Sequence, residues 1–235
     1  DFPVTPGSTT TYYAEAQAVG SVPGSATFDY TGTLQTFNVP AGITSVTILA
    51  LGAKGGNSPG NTAIGGSGAS IQGTVNVSPG QVLNIVVGGQ GDTKPDDNGT
   101  NYGGGGGGGS FVWVNGNSSA PLIVAGGGGG AWESTAGGAG QTSNAGQSSS
   151  NGGSGGSGGN GGYNGSNLMS GGWCEGAGGG GWFTEGGYAG CSSYGTLYGG
   201  GSYSTYFAGL CGSPCIAGVG NYGVSGGYGG GGGYG

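Results

Sequence analysis

The residues best suited to chemistry are four cysteines, Cys174, Cys191, Cys211 and Cys215, all in the C-terminal half. The chain has no His, and a four-thiolate zinc site usually shows a close Cys pair at each end. Cys174 and Cys191 are too far apart in sequence for that pattern. Disulfides formed in an oxidising compartment are the better reading. Three pairings are open, and Cys174–Cys191 with Cys211–Cys215 is favoured because each bond closes a modest local loop. Each bond would contribute about 2–4 kcal/mol, chiefly by restricting the unfolded chain.

The acids give weaker signals. Asp92, Asp96 and Asp97 with Asn98 supply oxygens suited to Ca²⁺, but their spacing around Pro95 fits no calcium loop, and a solvated turn is the better reading. Glu133, Glu175 and Glu185 would be the carboxylates for glycoside hydrolysis, yet no cleft-forming motif accompanies them. Without His there is no base for a serine hydrolase. Neither a phosphate loop nor a strand–GxGxxG–helix context occurs, and the Gly-x-Gly matches follow from composition. The chain therefore reads as a non-enzyme, with no catalytic residue, metal site or cofactor. Acceptors for N-linked sugar are Asn98, Asn117 and Asn164, in Gly/Asn/Ser-rich stretches; Pro79 just after the sequon weakens a fourth, Asn76.

Charge narrows the partners. Two Lys, no Arg and nine acids give a net charge of -7. Neutralising phosphates takes basic residues in number, so nucleic acid is excluded. An anionic membrane surface is disfavoured for the same reason. No run is long and apolar enough to insert into a bilayer. The first residue is Asp1 rather than Met, and the simplest reading is a secreted, extracellular protein after signal-peptide removal.

The elements that must position these residues fall into three parts. Residues 1–27 form an arm whose stretch Thr11–Val19 alternates, with Tyr12, Ala14, Ala16 and Ala18 on one face. That pattern predicts a strand with one buried face. Residues 28–125 read as β-strands over 27–30, 34–39, 45–51, 70–77, 82–87, 110–114 and 122–125, each bounded by turn residues. Their spacing predicts an antiparallel sandwich or jelly-roll-like unit with almost no α-helix. Residues 126–235 are dominated by glycine, interleaved with aromatics such as Trp132, Trp173, Trp182 and Phe183.

Glycine makes up 71 of 235 residues, with solid runs at Gly103–Gly109 and Gly126–Gly130. Ordering glycine costs more backbone entropy than ordering any other residue. Disorder is the compositional expectation, but disordered segments are poor in aromatics. Collagen needs a strict three-residue repeat with abundant Pro. A helix would cost about 1 kcal/mol per Gly relative to Ala. The remaining ordered option is an extended threefold helix, polyglycine II. It has no internal hydrogen bonds, so its buried N–H and C=O groups must bond to neighbours. Lacking Cβ, several such helices approach closely and bond laterally. The expected fold is all-β plus polyglycine II: a sandwich-like part joined to a bundle of glycine-rich threefold helices.

Four stretches carry a family resemblance when taken in order. They are Thr36–Gly56 (TFNVPAGITSVTILALGAKGG), Ser78–Gly89 (SPGQVLNIVVGG), Gly103–Gly109 with Ser110–Val114 (SFVWV), and Pro121–Gly130 (PLIVAGGGGG). Together they resemble the glycine-rich domain of anaplastic lymphoma kinase and leukocyte tyrosine kinase ectodomains and of many secreted microbial and protist proteins. The resemblance covers residues 28–235 and leaves the arm outside. It implies a β-sandwich-like part joined to polyglycine II helices and no catalysis. In the receptor kinases the domain takes part in ligand recognition, a role that does not transfer residue by residue.

Two functions are expected from these features. The first is a subunit of an extracellular fibril, sheath or surface appendage, a homo-oligomer or homopolymer whose arm adds to a neighbour's sheet edge. For the arm, pairing within its own subunit is at least as common. The second is an adhesin or receptor-ectodomain-like module recognising a glycan or a cell-surface protein.

Overall fold

A computed structural model of the chain describes residues 11–16, 24–58, 62–93, 104–117, 119–131, 134–148, 154–162, 181–185, 189–191 and 195–197. Among these residues there is no helix, and every strand pairing is antiparallel.

The strands are β1 (Thr11–Ala16), β2 (Gly24–Asp29), β3 (Gln35–Asn38), β4 (Ser45–Leu51), β5 (Ser70–Asn76), β6 (Val82–Val86), β7 (Ser110–Val114), β8 (Ile123–Ala125), β9 (Ala189–Cys191) and β10 (Gly195–Leu197). One four-stranded sheet has the order β2-β1-β4-β5 and a second has β3-β6-β7-β8, while β9 and β10 form a separate ribbon.

Alternation decides which face of each strand is buried. On β4, Val46, Ile48 and Ala50 are buried, and the residues between them are half-buried. Leu83 and Ile85 of β6, Val112 of β7, and Ile123 and Ala125 of β8 complete a core shared by both sheets. Phe28, Phe37, Ile71 and Val75 pack around its margin. Burying each aliphatic side chain is worth about 1.5–3 kcal/mol, so the shared core is what holds the two sheets to each other.

Turn chemistry sets the connections. Pro40-Ala41-Gly42 leads into β4 with Gly42 at φ 83° and an Ile43 N–H donated to the Pro40 carbonyl at 3.2 Å. Ser78-Pro79-Gly80-Gln81 joins β5 to β6 with Gly80 at φ 78°. In the second turn proline at i+1 followed by a positive φ at i+2 makes a type II turn, and at the positive-φ position of both turns glycine is the residue without a steric penalty.

The second sheet buries its other face too. Val86 and Phe111 lie against Trp113 and against Trp182 from the glycine-rich half. The Trp182 ring is 5.5 Å from that of Trp113 in an edge contact, and 6.1 Å from that of Phe111.

One strand begins well before its expected start. The strand expected at residues 27–30 begins at Gly24, because Gly24 and Ser25 are carried into the ladder by their partners Ala16 and Glu15 on β1. The arm strand β1 lies within its own chain's sheet, between β2 and β4.

Candidate functional site

The glycine-rich segments grow directly out of the strands. Residues 52–58 continue β4, 64–69 lead into β5, 88–93 follow β6, 104–109 lead into β7, and 126–131 continue β8. The pairings Leu51↔Ser70, Val86↔Phe111 and Ser110↔Ala125 place all five at one end of the two sheets.

Their hydrogen bonds repeat every three residues, not every two as in a β-ladder. Gly52 and Gly55 donate to the carbonyls of Ala69 and Gly66, at 2.8 and 2.9 Å. Ala53 and Gly56 turn to a different neighbour, donating to Gly108 and Gly105 at 2.9 and 2.7 Å. Gly128 and Ala131 donate to Ala53 and Gly56 at 2.9 and 3.0 Å. Gly104 and Gly107 donate to Ala131 and Gly128, both at 2.7 Å. Segment 52–58 thus meets segments 64–69, 104–109 and 126–131 on separate sides. An extended chain with no internal bonds satisfies its buried backbone this way, by sharing its groups among several neighbours.

Contact with neighbouring backbone decides where a side chain fits. A methyl group added at Gly52 or Gly55 would overlap the carbonyls of Gly126 or Gly129, and one at Gly104 or Gly107 would overlap those of Gly56 or Ala53. Gly127 and Gly130 press in the same way on Gly107 and Gly104. Between these positions Ala53, Ala69 and Ala131 are accommodated, all buried. The glycine requirement is therefore positional: it falls on the side of each segment that touches a neighbour's backbone.

Ser110 fastens the bundle to the sheets. Its side chain is fully buried; Oγ donates to the Leu51 carbonyl at 2.7 Å and accepts the Gly88 N–H at 2.9 Å. One hydroxyl thus joins the ends of β4, β7 and the segment after β6. Ser110→Ala leaves a buried carbonyl and a buried N–H without this partner, and each costs about 1–3 kcal/mol. We expect a clear loss of stability in denaturant melts, with Ser110→Thr milder because it keeps the hydroxyl; an unchanged midpoint for the alanine variant would rule the clamp out.

The residues singled out from sequence are scattered. Tyr12, Ala14 and Ala16 lie on β1, while Ala18 falls outside the described residues. Cys191 ends β9; Cys174, Cys211 and Cys215 lie outside the described residues. Asn117 is exposed in the turn after β7, and its Oδ1 accepts the Ser119 N–H at 3.0 Å and hydroxyl at 2.6 Å. Asn98 and Asn164 lie outside the described residues. Asp92 is exposed, and its backbone carbonyl accepts the Gly105 N–H; Asp96 and Asp97 lie outside. Glu185 is half-buried beside Thr184, and Glu133 and Glu175 lie outside. Among the described residues no group of three or more His, Cys, Asp or Glu gathers in one place, and no helix is long and apolar enough to cross a membrane.

Comparison with protein-family models and with curated proteins found no match.

What the described geometry brings together is backbone. Carbonyl and amide groups of five segments converge, with Ser58 adding an internal tie by accepting the Ala63 N–H at 2.8 Å. Sequence reasoning did not single out Ser110 or Ser58. A lone serine at the junction of a glycine run and an apolar strand was the available signal for Ser110.

Proposed function

We propose that this chain is a secreted structural protein, a subunit of an extracellular fibril, sheath or surface appendage, and not an enzyme. The observation that carries this reading is the three-residue bonding period that links five glycine segments to one another and, through them, to both sheets. Such a body is stiff and carries few charged side chains. Its stiffness comes from backbone bonds that need no side-chain chemistry, and this suits a building block. We read the segments as polyglycine II helices and the two core-sharing sheets as a sandwich. That is the architecture implied by the resemblance to the glycine-rich ectodomain family.

In this reading subunits join through the N-terminal arm: β1, which pairs with β4 of its own chain here, pairs with β4 of a neighbour in the assembly. Disulfides among Cys174, Cys191, Cys211 and Cys215 and sugar on Asn117 fit the extracellular setting. Electron microscopy of purified protein tests the reading. Regular filaments are expected from the whole chain, and discrete particles from a variant lacking residues 1–20. A whole chain that stays monomeric and binds a glycan or a surface protein would instead establish the adhesin role.

A further inference from the structure

The buried residues of the shared core lie between Val39 and Ala125. Among the described side chains, the β1–β2 hairpin adds only Phe28, partly buried at its margin. The hairpin is tied to itself by six register pairs, from Thr11↔Asp29 to Ala16↔Gly24. It is tied to the rest of the fold by four, from Tyr13↔Leu49 to Ala16↔Val46. Two further contacts fix its base: Phe28 meets Phe37 edge to face at 6.2 Å, and Gln35 Nε2 donates to the Asp29 carbonyl at 2.9 Å. The hairpin is thus a cohesive unit laid against a body that has its own core.

The connection from β2 to β3, Tyr30–Leu34, has features of a hinge. Gly32 sits at φ 68°. Tyr30 and Leu34 at its two ends are 47% and 45% exposed. The contacts of hairpin and body are the same whether both come from one chain or from two. The choice therefore depends on concentration, on the hinge and on whatever new surface is buried around it.

We propose that the β1–β2 hairpin is an exchange module and that its partner is a second copy of this chain. In the assembly, β1 of one copy pairs with β4 of the next in the register seen here, with Tyr30–Leu34 extended as the hinge. Exchange that does not close on itself propagates a filament. This inference rests on the assembly reading and specifies the unit exchanged, its register and its hinge.

The test is a cross-link in mixed-label protein. Glu15 and Thr47 are register partners on β1 and β4, and antiparallel partners lie about 4.5–5.5 Å apart at Cα, within disulfide reach. Full-length Glu15→Cys/Thr47→Cys chains, half of them ¹⁵N-labelled, are mixed unfolded, refolded and assembled together, then oxidised. The linked 15–47 peptide is read by mass spectrometry. Hybrid ¹⁴N/¹⁵N peptides near the statistical half are expected, with a ladder of covalent multimers on a non-reducing gel. Filaments whose cross-links all carry a single label would overturn the exchange and leave the assembly reading standing. Hybrid cross-links confined to dimers, with no filaments, would establish the exchange and overturn the filament reading. Tyr13→Cys/Leu49→Cys, the neighbouring pair on the same face, repeats the measurement should the first variant fold poorly.

Discussion

Gly127→Ala is expected to destabilise the protein by about 3 kcal/mol or more, whereas Gly126→Ala, one residue earlier, should leave it unchanged or slightly stabler. A methyl group at Gly127 would overlap the carbonyl groups of Gly107 and Gly108. Those groups are backbone and cannot swing aside like the end of a flexible side chain. Overpacking alone costs about 1–3 kcal/mol, occasionally more, and each backbone bond broken by the resulting shift adds about 1–3 kcal/mol. For a chain of this size each kcal/mol lowers the melting temperature by roughly 2–4 °C. Gly126 has nothing within 4 Å of the added carbon and no positive φ. There alanine fits, and reducing the freedom of the unfolded chain is worth about 0.4–1 kcal/mol. Paired thermal melts check both. Equal effects at the two positions would mean that the glycines are required for general flexibility and not for close approach.

Trp182→Ala is expected to cost about 3–5 kcal/mol, the usual loss for truncating a large buried aromatic. Trp182 is 3% exposed and packs with Val86, Phe111 and Trp113. It is the described side chain that fastens the glycine-rich half to the outer face of the second sheet. Among the described residues the segment around it is also tied by the Phe183 N–H to the Gly159 carbonyl and the Gly161 N–H to the Thr184 hydroxyl, both at 2.9 Å. Amide exchange at Gly161 and Phe183 should therefore accelerate more than exchange in β4. Trp182→Phe should retain part of the stability. If the alanine variant melted at the parent temperature with unchanged exchange at those two amides, the docking would be wrong.

The strands were legible because alternation and turn residues are local signals. Val46, Ile48 and Ala50 alternate with Thr47, Leu49 and Leu51, and the Pro-Gly turns mark where the chain reverses. The edges of strands were less legible. Gly24 and Ser25 have poor β propensity and join β2 only because β1 lies beside them, a contact that no local pattern encodes. The same holds for the arm: alternation points to a strand within Thr11–Val19 but leaves open whether its partner lies in its own subunit or a neighbouring one. Physical elimination suggested lateral bonding between glycine segments, since bare backbone must find partners somewhere. Which glycines face a neighbour was hidden, because Gly126 and Gly127 look identical in sequence and differ only in what lies opposite. Ser110 and Trp182 were missed as joints for a related reason: their roles arise from segments distant in the chain that meet at one end or on one face of a sheet.

The fold depends most on the glycine segments being ordered by bonds to one another. Site-resolved amide hydrogen exchange of the native protein tests this directly. Gly104, Gly105, Gly107, Gly108, Gly128 and Ala131 all donate to carbonyls of neighbouring segments, so their amides should be protected to the same degree as those of β4 and β6. Exchange of these six at the rate of an unstructured peptide, with the strands still protected, would contradict ordering of the glycine segments by their mutual bonds.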